Sequence, residues 1–451
     1  MSSRARLLIG LAALSAAGYL ALALAGDLRA RVWLYLSIHA VLFVLYAVAA
    51  KRILIEQAEE HDSGRETLVI FAAAVAFRLI LLPAAPSLSD DIWRYIWEGG
   101  VQLSGINPYR YVPSAPELAP LRETVQVYQG VNYKDLPAIY PPLMQWAFAL
   151  GAAIGRSATA MKLVFVAADL GLLMALARLL TSAGRPAARI LVYAWNPLVV
   201  LEVAGSGHND SLALCFLVGS TAGIIGHRKV LSIAALGLAA LSKLFPIAML
   251  PLYAKKVKPR HLAIAPAVML AGYLPYLSAG PMLFHSLRQY AERWRYNESI
   301  FSIIEAAVEA SGISPMAKAW VDARGLPSLY TQPHMIARLL AAGVALGVLA
   351  ALAWRLDRAD PVALPRAIFL FTGTVLLLQP VMHPWYLIWI APWLVLFPSP
   401  AWLLLTGLAP LSYAGVSWAR WVEYVPFFAL LLMPAAVAGR RPLWRRARPL
   451  W

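Results

Sequence analysis

Apolar runs of about 20 residues, the length of a helix that spans a bilayer, recur from Leu7 nearly to the C-terminus of this chain. A soluble fold has no use for so many. The chain is 61% hydrophobic and 14% charged, with a mean hydropathy of +0.65, where soluble domains are about 45–50% apolar and about 25% charged. The 16 Trp and 19 Tyr suit the two membrane–water interfaces. These features predict an all-α, polytopic membrane helix bundle.

The formal charge of +16 lies mainly in short stretches between apolar runs, the pattern that orients a membrane protein. No interleaved basic–aromatic patch supports nucleic-acid binding. Cys215 is the one cysteine, so an intramolecular disulfide and a multi-cysteine metal site are both excluded.

Positive-inside bookkeeping predicts a topology. Arg4 and Arg6 place the N-terminus in the cytoplasm, and Gly26-Asp27-Leu28 is a poor cleavage site, so the first run reads as a retained helix. Runs near 7–25, 32–50 and 67–82 lead to a first outer loop, 83–158. In that loop the apolar stretch 143–155 is short for a crossing and reads as an interfacial helix. Runs near 159–180 and 189–204 follow, and Gly207-His208-Asn209-Asp210 falls outside. The stretch 230–254 is interrupted at Lys243 and flanked by basic residues at both ends, which predicts paired short helices or a re-entrant hairpin. A second outer loop spans 281–334, His383 lies outside, and a basic cytoplasmic tail covers 439–451. The count is about 12–14 crossings in one membrane domain, 1–451, with outer-face loops carrying interfacial helices.

The rare polar residues fall mostly on one side of this scheme, and polar groups near lipid face a cavity by default. Asp90-Asp91 serves two readings: acids in the first turn of a short amphipathic helix, or a general base tuned by its neighbour. Helical spacing puts Asp91 and Tyr95 on one face. The 207–210 stretch is either a polar turn that caps a helix or a set of hydrogen-bond groups for a sugar. His383 is either a satisfied interfacial histidine or, with Lys or Arg, a phosphate ligand. Lys243, at a helix break, suits an anionic ligand. Tyr140-Pro141-Pro142 opens a helix. The Arg293 to Ser299 stretch is either an interfacial belt or a holder of phosphate and sugar hydroxyls. P-loop, G-x-S-x-G and H-E-x-x-H motifs are absent from the sequence.

In order, Ser89-Asp90-Asp91-Ile92-Trp93-Arg94-Tyr95, Gly105-Ile106-Asn107-Pro108-Tyr109, Ile139-Tyr140-Pro141-Pro142-Leu143, Trp195-Asn196-Pro197-Leu198, Gly207-His208-Asn209-Asp210, Trp294 with Asn297, and His383-Pro384-Trp385-Tyr386 resemble the GT-C superfamily of membrane glycosyltransferases. The resemblance is strongest to bacterial polyprenyl-phosphate-mannose-dependent mannosyltransferases. It spans about residues 67–400 and is specific as an ordered set, weak motif by motif. It implies inverting transfer of a sugar, mannose on the nearest resemblance, from a polyprenyl-phosphate donor to a glycolipid or glycan acceptor at the outer face of the cell membrane. It implies Asp91 as base, with Asp90 as competitor or support, and His383, Lys243 and Arg293 at the donor phosphate. It places Tyr95, Tyr140, His208, Asn209, Asp210, Trp294, Asn297 and Tyr386 on the sugar or acceptor side. No cofactor and no obligatory metal are expected.

Three rivals remain at the level of sequence. A secondary transporter of a lipid or anionic solute would use Lys243 at its broken helix, normally within paired repeats, and no matching second half is visible. A lipid-binding scaffold would not need Asp91. A lipid-linked oligosaccharide ligase or polymerase would share the chemistry.

Overall fold

The computed structural model describes residues 3–55, 63–123, 125–325 and 328–433; the basic tail expected at 439–451 lies outside them. Among the described residues the regular structure is helical, apart from one isolated parallel bridge between Tyr296 and Val381. Among the described residues five helices are long and apolar enough to cross a membrane: α1 (Ser3–Leu24), α2 (Val32–Ile55), Ala158–Ser182, Pro259–Arg293 and Pro333–Arg355. Two bent pairs, Ala187–Ala194 with Pro197–Gly205 and Ile300–Ala310 with Ile313–Asp322, bring this to as many as seven when each pair is counted as one span. The 12–14 crossings expected from hydropathy exceed this number because several apolar runs fold as shorter or broken helices, among them Pro142–Ile154, Asp210–Ile225, Lys229–Ser242 and Ala363–Leu378.

The first helix packs against both α2 and α3 (Ser63–Leu81). A short helix α4 (Asp91–Leu103) then lies against α5 (Pro142–Ile154), the segment read as interfacial. Proline at the first position of α5 suits its φ and needs no hydrogen-bond donor there. The contact of α4 with α5 depends on Gly99: a Cβ at this position would sit 2.2 Å from the carbonyl oxygen of Phe148.

The helix α6 (Ala158–Ser182) starts at Ser157, whose hydroxyl accepts from the Ala160 N–H at 3.2 Å and satisfies one exposed donor of the first turn. From its first turns Lys162, fully buried, donates to the carbonyls of Leu81, Leu82 and Ala84 at 3.1, 3.2 and 2.7 Å. A cation on these orphan carbonyls closes the C-terminus of α3 and fixes the chain that leads into Asp90-Asp91. The next run bends by 65° at Asn196-Pro197. Proline cannot continue the preceding helix, and the Asn196 side chain caps the new one by accepting from the Leu198 N–H at 3.1 Å.

Helices α7 (Asp210–Ile225) and α8 (Lys229–Ser242) form an antiparallel pair. The start of α7 and the end of α8 therefore meet, and Lys243 follows directly on α8. Beyond Lys243 the chain turns through Phe245–Met249 and Leu250–Tyr253. At the far end of this stretch Lys256 donates to the carbonyls of Arg358 and Asp360 at 3.0 and 2.9 Å. The stretch 230–254 is thus a hairpin with Lys243 at its tip. A second apolar helix, α9 (Ala363–Leu378), runs from that far end back toward His383.

Inside the bundle, Arg78 of α3 pairs with Asp169 of α6, both side chains fully buried. Asp169 also accepts from the Tyr193 hydroxyl, and Arg78 donates to the carbonyls of Ala74 and Ala194. A buried ion pair is tolerated only when further hydrogen bonds satisfy it, and this one ties three segments together.

Candidate functional site

At the end of the bundle that carries Lys243 lies a cavity of about 590 Å³. Asp91, Tyr95, Tyr140, Lys243, Trp294, His383 and Tyr386 all line it, as does Asp90 at its edge. Of the residues singled out in the sequence, Arg293, His208, Asn209, Asp210 and Asn297 do not.

The two adjacent aspartates part company. Asp90, the residue before α4, is exposed and takes both terminal nitrogens of Arg29 at 3.2 and 3.4 Å. Asp91, the first residue of α4, is half-buried on the cavity wall, and its Oδ1 accepts from the Asn132 amide at 2.9 Å. Burial raises the Asp91 carboxyl above its ordinary value; the Asn132 hydrogen bond and then the charges of Lys243 and Arg94 pull it back, and Asp210 pushes it up. One turn on, buried Tyr95 stacks on Phe148 at 4.6 Å, and its hydroxyl lies 3.1 Å from that of Tyr140. This places two phenols along the wall beside the carboxylate.

Across the cavity Lys243 bonds to Asp210 Oδ1, which also accepts from the Trp389 indole at 2.6 Å. Asp210 is buried and acts as the counter-ion, while the lysine remains partly open to the cavity. The ammonium also lies 5.6 Å from the Tyr386 ring and 5.8 Å from Trp389, an aromatic surround that favours a cation.

His383 belongs to a column of rings. It stacks on Trp385 at 4.2 Å and on Tyr296 at 4.3 Å, and Trp385 in turn stacks on His208 at 4.0 Å. The backbone fixes the Tyr296 contact: the Tyr296 N–H donates to Pro380 and the Met382 N–H to Tyr296. Burial, with Lys243 adding to it, lowers His383 to about 4, so it is a neutral hydrogen-bonding group at neutral pH.

The remaining expected residues sit behind or beside this wall. His208 is buried, 3.4 Å from Glu202. Asn209 is buried near Tyr140. Asn297 has a positive φ of 47° and donates to Glu423 at 2.7 Å, and its carbonyl accepts from Tyr424; it ties the second loop to the helix Ala419–Leu432. Arg293 is exposed at the end of the helix His285–Arg293. Among the described residues no three His, Cys, Asp or Glu side chains group as a metal site would.

Sequence reasoning did not pick out Asn132, Arg94, Trp385 or Trp389 as individual groups. Arg94, Trp385 and Trp389 lie in or next to the quoted motifs, but Asn132 has no neighbouring pattern to mark it. Its contact with Asp91 crosses 41 residues.

The family model for alpha-(1->6)-mannopyranosyltransferase, N-terminal domain, matches residues 6–257, and the model for glycosyltransferase family 87 matches residues 138–380. The first covers Asp91, both cover Lys243, and His383 lies just past the end of the second. No curated protein and no solved structure matches the chain.

Proposed function

The chain belongs to the alpha-(1->6)-mannopyranosyltransferase family of membrane glycosyltransferases, and from that premise we propose that it moves mannose from a polyprenyl-phosphate carrier to a hydroxyl of a glycolipid or glycan at the outer membrane face. The observation that carries this reading is a single cavity lined by a carboxylate, Asp91, a cation, Lys243, and a neutral imidazole, His383.

Asp91 accepts the proton of the acceptor hydroxyl as its oxygen attacks C1 of the mannosyl group. The bond from C1 to the phosphate oxygen breaks, and polyprenyl phosphate leaves with the electron pair. A single displacement of this kind inverts the anomeric centre. Charge develops on the leaving phosphate, so a preorganised cation is most useful there. Lys243 supplies it, and His383 donates a hydrogen bond. The buried partner Asp210 holds the ammonium in place before the donor arrives. Apolar residues of the same cavity, such as Leu244, Phe245, Val375 and Leu376, give the first prenyl units a dry surface. Asp91 is the base and Asp90 is not, because Asp90 is exposed and held by Arg29.

The test is transfer of radiolabelled mannose from polyprenyl-phosphate-mannose in membranes that express wild type, Asp91→Asn or Asp90→Asn. The reading expects Asp91→Asn to insert normally and to lose at least about a hundredfold in rate, with Asp90→Asn close to wild type. Loss in Asp90→Asn alone would move the base one residue back. Absence of transfer by wild type with any polyprenyl-phosphate sugar would sink the donor assignment.

A further inference from the structure

Arg94 has an unusual set of partners. Its Nε donates to Glu98 at 2.8 Å, and its two terminal nitrogens donate to the carbonyls of Asn132, Tyr133, Leu136 and Pro137 at 3.0, 2.9, 2.5 and 2.7 Å. Glu98 is itself held by the Gln145 amide of α5 at 2.6 Å. The guanidinium is buried and planar, and a planar fork of donors can serve several acceptors at once where a lysine cannot. It therefore clamps the loop 132–137 onto α4. Within the clamped loop Tyr133 has a φ of 45°, rare for an aromatic residue.

The result of the clamp is the aim of one side chain. Asn132 points back along α4 and donates to Oδ1 of Asp91. Among the described residues no other side chain donates to this carboxylate. We infer that Asn132 is a positioning residue for the base: fixed by Arg94, it occupies one oxygen of Asp91 and leaves the other to the acceptor hydroxyl.

This inference rests on Asp91 being the base. A donor to a carboxylate also favours its ionised form, so the contact has a titration signature that packing alone lacks. The other groups facing Asp91 are Arg94 and Tyr95 on its own helix, Tyr140 from the loop before α5, Lys243 at the hairpin tip, Asp210 at the start of α7, and Tyr290 from the second loop. Asp90 faces the solvent and Arg29. None of these reaches the carboxylate by a hydrogen bond, so Asn132 is the contact whose removal changes Asp91 most directly.

The experiment uses the full chain in detergent or lipid nanodiscs, with polyprenyl-phosphate-mannose as donor and octyl α-mannoside as acceptor, over about pH 5.5 to 8.5, the range in which a tuned base titrates. In Asn132→Ala the acid limb of kcat moves to higher pH. The loss at the acid end exceeds that at the alkaline end by on the order of tenfold, the worth of a hydrogen bond to a charged group. Asn132→Asp, which sets a second negative charge beside the base, moves the limb further in the same direction. Arg94→Lys frees the loop and moves it the same way. If Asn132→Ala does not fold, Asn132→Ser, which keeps a short donor, decides with a smaller move of the same sign.

A loss that is equal at all pH values, with the limb unmoved in a folded variant, overturns the inference and leaves Asn132 a structural residue. Asp91→Asn, run alongside, separates the two failures. If it is inactive while the Asn132 limb stays in place, the positioning role alone is wrong. If it transfers at the wild-type rate, the base assignment is wrong and the positioning role falls with it.

Discussion

At the scale of single residues, the site turns on what each charged group touches. Asp90 and Asp91 are neighbours of the same chemical type, yet one meets Arg29 in solvent and the other meets Asn132 at the cavity wall. An exposed ion pair contributes little, so Arg29→Ala leaves transfer rate and melting temperature close to wild type. The raised Asp91 carboxyl has the opposite consequence. A base works only when unprotonated, so activity is present above its pKa and disappears as pH falls through it. Because the carboxyl is raised, this decline begins above the ordinary carboxylate range. It is measured as the acid limb of the pH–rate profile and disappears with Asp91→Asn. His383, lowered to about 4, stays neutral throughout that range. His383→Gln keeps a hydrogen-bond donor and so retains more activity than His383→Ala, with the difference seen in the KM for the donor.

At the scale of elements, close approach decides which helices can carry the site. Gly99 meets the Phe148 backbone, where a methyl group has no room, whereas nothing lies within 4 Å of a Cβ at Gly100. Gly99→Ala pushes α4 off α5, at a cost of roughly 1–3 kcal/mol for overpacking, and moves Asp91 with it. Gly100→Ala, one residue on, gains about 0.5–1 kcal/mol from helix propensity. Melting and transfer assays on the two variants check both signs: loss of both in the first, higher stability with unchanged transfer in the second. Gly207 is constrained in another way. Its φ is 80°, and a Cβ there would lie 2.6 Å from Ile92 of α4; this contact brings the Asn209-Asp210 segment against the helix that starts at Asp91.

At the scale of the whole molecule, buried polar groups link segments that apolar packing alone would leave free to slide. The Arg78–Asp169–Tyr193 group joins α3, α6 and the segment after it. Removing one partner strands a charge in the interior, so Arg78→Met lowers stability by about 3–5 kcal/mol. The double variant Arg78→Met with Asp169→Leu, which strands no charge, recovers part of that loss. Thermal melting in detergent measures both. Neither residue lines the cavity, so folded double-variant protein retains transfer.

The sequence alone determined the broad architecture, because a bilayer demands long apolar helices and the length of each run can be read directly. It also marked Asp91 and His383 as following runs that end on one side of a consistent charge topology, and Lys243 as the break in an interrupted apolar run; all three line one cavity. Tertiary structure decided the rest. Whether a run becomes one straight span or two bent pieces depends on packing around Asn196-Pro197 and Lys243, which hydropathy averages away. That Asp210 serves as the counter-ion of Lys243, that Asn297 turns to Glu423 while exposed Arg293 does not line the cavity, and that Asn132 meets Asp91 are matters of side-chain placement that the chain's order does not reveal. Polarity in a sequence marks a residue as one that needs a partner, and only the folded chain selects which partner it has.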